Sequence, residues 1–238
     1  MTPSRVALTM GSTTAIRAVV EQSIDHVPNG LWCYRIDGRR SLAGGALSEG
    51  GSLFSWMKRT FQLADPPQLE AALKSIDPDG HGLTVLPFLA GERSPGWQGH
   101  ARATIHGLSQ ATTAPEILQA GMEAVACRIA LVFKKLAKLL PDDLQIVAGG
   151  GAIHNSPAWL QIITDMLDRA SVESGIREVS ARGAALLAFE ALGLIKDLKD
   201  IPLFIERTCY PDGERHAIYR QTIRRQQRLY EKLVKDDR

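Results

Sequence analysis

Paired cysteine chemistry is missing from this sequence. Its three cysteines, Cys33, Cys127 and Cys209, are odd in number and widely spaced, and none forms a CxxC or stands with a histidine at metal-ligand spacing. A disulfide framework is excluded, and a reduced, cytoplasmic setting is expected. No apolar run approaches the ~18 residues of a membrane span, and Met1 to Met10 lacks the basic start and apolar core of a secretory signal. Charge of one sign is lacking too. Against 28 Lys+Arg stand 26 Asp+Glu, a formal +2, so neither nucleic acid nor an acidic membrane is expected as a partner. GxxxxGK[ST] and GxGxxG do not occur, which argues against a P-loop and a dinucleotide fingerprint. Internal repeats and low-complexity tracts are absent as well.

The sequence offers instead an alternation of strand and helix signals. Arg5–Met10 and residues 15–20 flank Gly11-Ser12-Thr13-Thr14 and predict a hairpin. Residues 31–36 (LWCYRI) predict a strand closed by Asp37-Gly38. The glycine-rich stretch 44–51 is read as feeding a helix to about Phe61, since Leu53, Phe54, Trp56 and Met57 recur at helical spacing. A short helix at 68–75, the turn Asp77-Pro78-Asp79-Gly80, a strand at 83–86 and an extended stretch at 102–106 come next. The longest predicted helix runs from Pro115 to about Leu139. Thr113 can cap it, Pro115 suits its first turn and Glu116 favours its positive end. Residues 144–147 predict a strand, succeeded by Ala148-Gly149-Gly150-Gly151 and a helix at 157–167. Helices at 181–192 and about 214–235 complete an α/β reading.

Several motifs carry more than one reading. Glycines in Val147-Ala148-Gly149-Gly150-Gly151-Ala152-Ile153-His154-Asn155 would let the backbone approach a planar ligand, or form only a tight turn. Gly11-Ser12-Thr13 could hold a terminal phosphate through amides and hydroxyls, or simply close a hairpin. Gly50-Gly51 permits close approach of a ligand or of another helix. Asp77 and Asp79 lack the remaining ligands of a Ca²⁺ loop. His81, His100, His106 and His154 show no metal spacing, so hydrogen-bonded or surface roles are expected. Arg224, Arg225 and Arg228 read as a solvated helix face whose other side, through Tyr219, Ile223 and Leu229, docks on the core.

Taken in order, Gly11-Ser12-Thr13, residues 44–56, Pro87-Phe88-Leu89-Ala90-Gly91-Glu92-Arg93-Ser94-Pro95, residues 103–108, residues 149–155 and Ser180-Ala181-Arg182-Gly183-Ala184-Ala185 resemble the FGGY carbohydrate kinases. Leu31-Trp32-Cys33-Tyr34-Arg35 and Gly44-Gly45-Ala46 are most similar to gluconokinase-type members. The resemblance implies an actin-like, ribonuclease H-like ATPase domain, a mixed sheet flanked by helices, with residues 1–238 as the C-terminal, nucleotide-binding half. It implies ATP-dependent phosphorylation of a sugar or sugar acid resembling gluconate, with xylulose or another polyol, or a non-catalytic remnant, as alternatives. ATP/ADP and Mg²⁺ are the expected cofactors. Gly150, Gly151 and Asn155 would lie against the adenosine, Gly51 and Ser55 would border the cleft, and Gly11, Ser12 and Thr13 would approach the phosphates. Glu92 and Arg93 would reach the sugar. No catalytic residue is expected here, because the family's base and its sugar-binding N-terminal domain precede the matching segment. That N-terminal domain and a second copy, as a homodimer, are the expected protein partners. The sequence departs from the family's pattern at Gly121, which is expected to soften the long helix by ~1 kcal/mol relative to alanine.

Overall fold

Alternate residues of Arg5–Met10 are apolar and buried, and this strand, β1, becomes the centre of the sheet. The computed structural model describes residues 4–21 and 26–235. Strand β2 (Thr14–Val20) returns antiparallel to β1 through the Gly11–Thr13 turn, and β3 (Trp32–Arg35) and β4 (Ser41–Leu47) extend that side. The β3–β4 turn is built by Asp37, whose Oδ1 accepts the amides of Arg39 and Arg40 at 2.8 Å each. Helices α1 (Gly51–Thr60) and α2 (Pro66–Ser75) come next, then a small antiparallel pair, β5 (Thr84–Leu86) and β6 (Thr104–His106). After the long helix α3 (Ala114–Leu136) the chain enters β7 (Gln145–Gly149), α4 (Gly151–Asn155), α5 (Pro157–Leu167), β8 (Ser171–Ser174), α6 (Val179–Ala191), β9 (Ile205–Cys209) and α7 (Gly213–Tyr230). The main sheet runs β3-β4-β2-β1-β7-β8-β9. It is antiparallel on the β1–β4 side, parallel from β1 through β7 to β8, and antiparallel again at β9.

Helix α3 anchors the core. Thr113 caps it as expected, and Glu116 goes beyond its expected dipole role by closing a capping box: its Oε2 accepts from the Thr113 amide at 2.7 Å and from Thr113 Oγ1 at 2.8 Å. Most of its surface is buried, from Ile117 to Leu136, because β2, β4 and β5, α1 and α5 all pack on it. Gly121 sits where α1 crosses. A Cβ there would lie 2.5 Å from Met57 Sδ, so the missing side chain provides a close helix contact in addition to any softening of the helix. Helix α7 buries Tyr219, Thr222, Gln226 and Tyr230, one stripe at helical spacing. Gln226 Nε2 reaches the carbonyls of Val85 and Ala124, each at 3.0 Å.

Three expectations are corrected. Residues 44–47 of the glycine-rich stretch read as feeding α1 are instead the end of strand β4, where the sheet pairs Gly44 with Arg17 and Gly45 with Ile16. Strands β8 and β9 went unpredicted: SVES and IERTC are polar and do not alternate, and wholly buried β8 takes its place as a strand between β7 and β9. Arg225 leaves the solvated face and grips Asp79 through two guanidinium nitrogens, with further bonds to Thr84 Oγ1 at 2.7 Å and the Leu83 carbonyl at 3.0 Å. Among the described residues no helix is long and apolar enough to cross a membrane.

Replacing Gln226 with leucine removes both of its buried hydrogen bonds. A loss of about 1–3 kcal/mol is expected, read as a lower urea midpoint with an unchanged slope.

Candidate functional site

At the C-terminal ends of β1 and β7 lies a cavity of about 690 Å³, a size that accommodates a small ligand. The parallel register pairs Thr9 with Gly149, so the turns at the ends of these two strands emerge side by side. From β1 come Gly11 and Ser12, and from the turn after β7 come Gly151, Ala152 and Asn155. The third wall is α1, which presents Gly51, Phe54, Ser55 and Lys58, the i, i+3, i+4, i+7 stripe of one helix face. Leu69, Glu70, Ser156 and Trp159 close the floor.

The glycines serve different ends. Gly150 has φ +102, and a Cβ there would lie 2.5 Å from the Met10 carbonyl, so only glycine carries the chain past β1 at this turn. Gly51 donates its amide to the Gly11 carbonyl at 2.8 Å, and Ser52 to that of Ser12 at 3.2 Å. A Cβ on Gly51 would come within 2.9 Å of the Gly11 oxygen. These first amides of α1 therefore hold the hairpin and are not free for a phosphate. At Gly151 the position of a Cβ meets nothing within 4 Å, which leaves that backbone open to the cavity.

Of the residues expected at the site, Gly11, Ser12, Gly51, Ser55, Gly151 and Asn155 come together on this cavity. Gly150 shapes it from behind. Thr13 is exposed at the hairpin tip and forms none of the wall. Phe54, Lys58 and Trp159 were missed, although the α1 periodicity placed Phe54 and Lys58 on the face of Gly51. Trp159 is 1% exposed, anchored by its indole N–H on the Met122 carbonyl at 3.0 Å, and stacked with Phe54 at a centroid distance of 6.0 Å. Lys58 pairs with Asp65 at 3.5 Å. Glu70 is committed to the protein: it accepts from Ser156 Oγ, and from the Ala158 amide at 3.2 Å.

The C-terminal-domain profile of the FGGY family of carbohydrate kinases matches residues 6–192. The chain belongs to this family. Gluconokinase of Bacillus subtilis is 25% identical over 201 residues, covering 80% of this chain and 39% of that protein. Gluconate kinase from Lactobacillus acidophilus superposes with a TM-score of 0.87 at 26% identity, over 98% of this chain and 48% of that one. Ligand-bound xylulose kinase from the same organism gives 0.88 at 26% identity, over 97% and 48%. The chain thus spans less than half the length of these relatives. The mixed sheet flanked by helices is the actin-like ATPase architecture of these sugar kinases.

In this FGGY domain the loop carrying Glu92 and Arg93 is divided between inside and outside. Glu92 is 4% exposed and turned inward. It pairs with the Arg128 guanidinium, accepts from the Tyr230 hydroxyl at 2.6 Å and from the Gly96 amide at 3.1 Å. Arg128 in turn lies over the rings of Tyr230 and Phe88, 4.8 and 5.2 Å from their centroids. The expectation that Glu92 reaches the sugar is therefore revised: its oxygens are already engaged, and it fastens the loop to α3 and α7. Of the two, Arg93 is the one that faces solvent.

Beside this cluster, just before Gly50-Gly51, Glu49 is 3% exposed and accepts the Ala90 amide at 3.0 Å. Burial pushes its carboxyl up from an ordinary 4.5 to about 7, against the lowering pull of the Ala90 amide and Arg128.

Both buried carboxylates can be tested through stability. Glu92→Ala strands Arg128 and should cost about 3–5 kcal/mol, a fall of roughly 6–20 °C in thermal midpoint for a domain of this size. Glu49 binds its proton more tightly folded than unfolded, so it favours the folded state at low pH and loses that contribution between about 4.5 and 7 as pH rises. Urea midpoints of wild type minus Glu49→Gln should decline across that window and level off above it.

Proposed function

We propose that this domain holds the nucleotide of an ATP-dependent sugar kinase, with residues 1–238 acting as the C-terminal half of a protein of the relatives' length. The observation that carries the reading is the cavity at the ends of β1 and β7, where Gly11, Ser12, Gly51, Gly151 and Asn155 converge. A nucleotide fits it. The open backbone at Gly151 admits a flat ring, Asn155 offers both donor and acceptor, Phe54 and Leu69 supply apolar wall, and exposed Ser12 lines the same cavity. Lys58 brings the one cationic side chain of the wall, among the described residues, toward a phosphate-bearing ligand.

The expected Mg²⁺ does not fit this half alone. Glu70 is the one carboxylate lining the cavity among the described residues, and its oxygens already accept from Ser156 and Ala158. Neither metal ligand nor general base stands on this wall, so both are assigned to the N-terminal sugar-binding domain of the full-length protein. What this chain's residues contribute is binding and orientation: they position the phosphate donor against a partner domain that holds the acceptor hydroxyl. The acceptor is a sugar or sugar acid of the gluconate type, with xylulose as second reading because the two Lactobacillus structures superpose equally well. Arg93, exposed on its loop, remains the substrate-side candidate of this half, and a cytoplasmic location with a homodimeric assembly belongs to the same reading.

Titrating the isolated chain with ADP tests the assignment. Saturable binding at or below millimolar concentration is expected. Gly151→Ala, whose Cβ would meet no protein atom within 4 Å, should leave the thermal midpoint in place and weaken binding at least about tenfold, ~1.4 kcal/mol. No signal at millimolar ADP, or equal affinity in the variant, refutes it.

A further inference from the structure

Two groups of histidine and carboxylate side chains lie off the cavity wall, each with its ligand-type atoms within 4.8 Å of one another. They differ in how far the protein already satisfies them. In Asp79, His81 and Glu123 every residue is engaged. Asp79 holds Arg225, and the Leu83 amide donates to His81 Nδ1 at 3.0 Å, which leaves Nε2–H to donate to Glu123 at 3.0 Å. Glu123 accepts further from Gln119, the Asp79 amide and the Tyr219 hydroxyl. That cluster is a closed hydrogen-bond network.

The second, His154, Glu173 and Glu206, is left incomplete. His154 stands next to Ile153 on α4, and its Nδ1 lies 2.7 Å from Glu173 Oε1. Glu173 is 2% exposed, yet its Oε2 has no hydrogen-bond partner, with Arg207 Nε 3.7 Å away. His154 Nε2 is likewise screened from solvent and unpartnered. A carboxylate this deep is normally satisfied on both oxygens, since burying it bare is costly. Glu206 is brought in by an irregularity of the sheet. The β8–β9 register passes from Glu173–Arg207 directly to Ser174–Ile205, so Glu206 is the extra residue on β9, an arrangement that re-aims a side chain.

We propose that His154, Glu173 and Glu206 bind a divalent transition-metal ion, Zn²⁺. One imidazole nitrogen and two carboxylate oxygens, with a water in the remaining position, match its ligand preferences. On binding, the 2.7 Å contact opens to about 3.3 Å, the ligand separation around a tetrahedral ion with bonds near 2.0–2.1 Å. His154 ligates through Nδ1 as neutral imidazole, so the proton of the Nδ1–Glu173 contact passes to Nε2, and the ion takes over the attraction that Arg207 now provides at longer range. Exposed Glu206 marks the entry side. The ion would tie α4, which carries Gly151 and Asn155, to the far strands of the sheet, whether or not the cavity takes a nucleotide.

The test is calorimetric titration of the untagged, metal-free chain with Zn²⁺, alongside Co²⁺ monitored by visible absorbance. One ion per chain is expected, with a Co²⁺ spectrum free of thiolate charge-transfer bands. Glu206→Gln should weaken binding at least about tenfold while its metal-free melting midpoint stays at the wild-type value; His154→Ala should weaken binding as much and also lower the metal-free midpoint, because it strips buried Glu173 of its partner. Cys33→Ser should bind as wild type does. Absence of binding, undiminished binding in both ligand variants, or loss of binding in Cys33→Ser overturns the proposal.

Discussion

The parallel pairing of β1 with β7 is the constraint on which the rest of the molecule depends. Two strands remote in sequence run side by side with Thr9 opposite Gly149, and the chain must leave both of them at the same end of the sheet. From β1 it turns back as an antiparallel hairpin, while from β7 it turns into a helix. Connections therefore diverge to opposite sides of this pair, and a crevice opens between them, as it does wherever the order of a parallel sheet reverses. Without that pairing, the turn at Gly11 and the turn at Gly150 would be two unrelated loops.

Helix α1 completes the crevice because its first amides are bonded to the carbonyls of Gly11 and Ser12. This also explains a division of labour among the glycines. Gly51 and Gly150 are needed for the protein's own close contacts with the hairpin and β1, whereas Gly151 faces open space. A glycine-rich pattern alone does not separate these roles, and only the last speaks to a ligand.

Away from the crevice, buried charge sets the arrangement of loops. Glu92, Arg128 and Tyr230 join the loop after β5 to α3 and to the end of α7, and Arg225 draws the Asp79 turn onto the same helix. Such pairs cost desolvation and return it only through good geometry, so they specify which loop docks where. Helix α7 lies beyond the family match at residues 6–192, yet it packs on α3, α5 and β5 and fixes loops within that match.

Local chemistry determined much of this protein before any folding. The hairpin at Gly11, the capped helix after Thr113, the strand–glycine–helix turn at Gly149–Gly151 and the ordered resemblance to FGGY kinases all rest on short-range signals: turn residues, caps and helical periodicity. Six of the expected site residues lie on those local elements, and the β1–β7 pairing brought them to one cavity. Partners distant in the chain decided the features that the linear pattern left open. Polar β8 is a strand because its neighbours supply the hydrogen bonds, Glu92 turned inward because Arg128 and Tyr230 wait there, and Glu173 gained an incomplete shell through His154 and Glu206. Each depends on long-range pairing that spacing along the sequence does not encode.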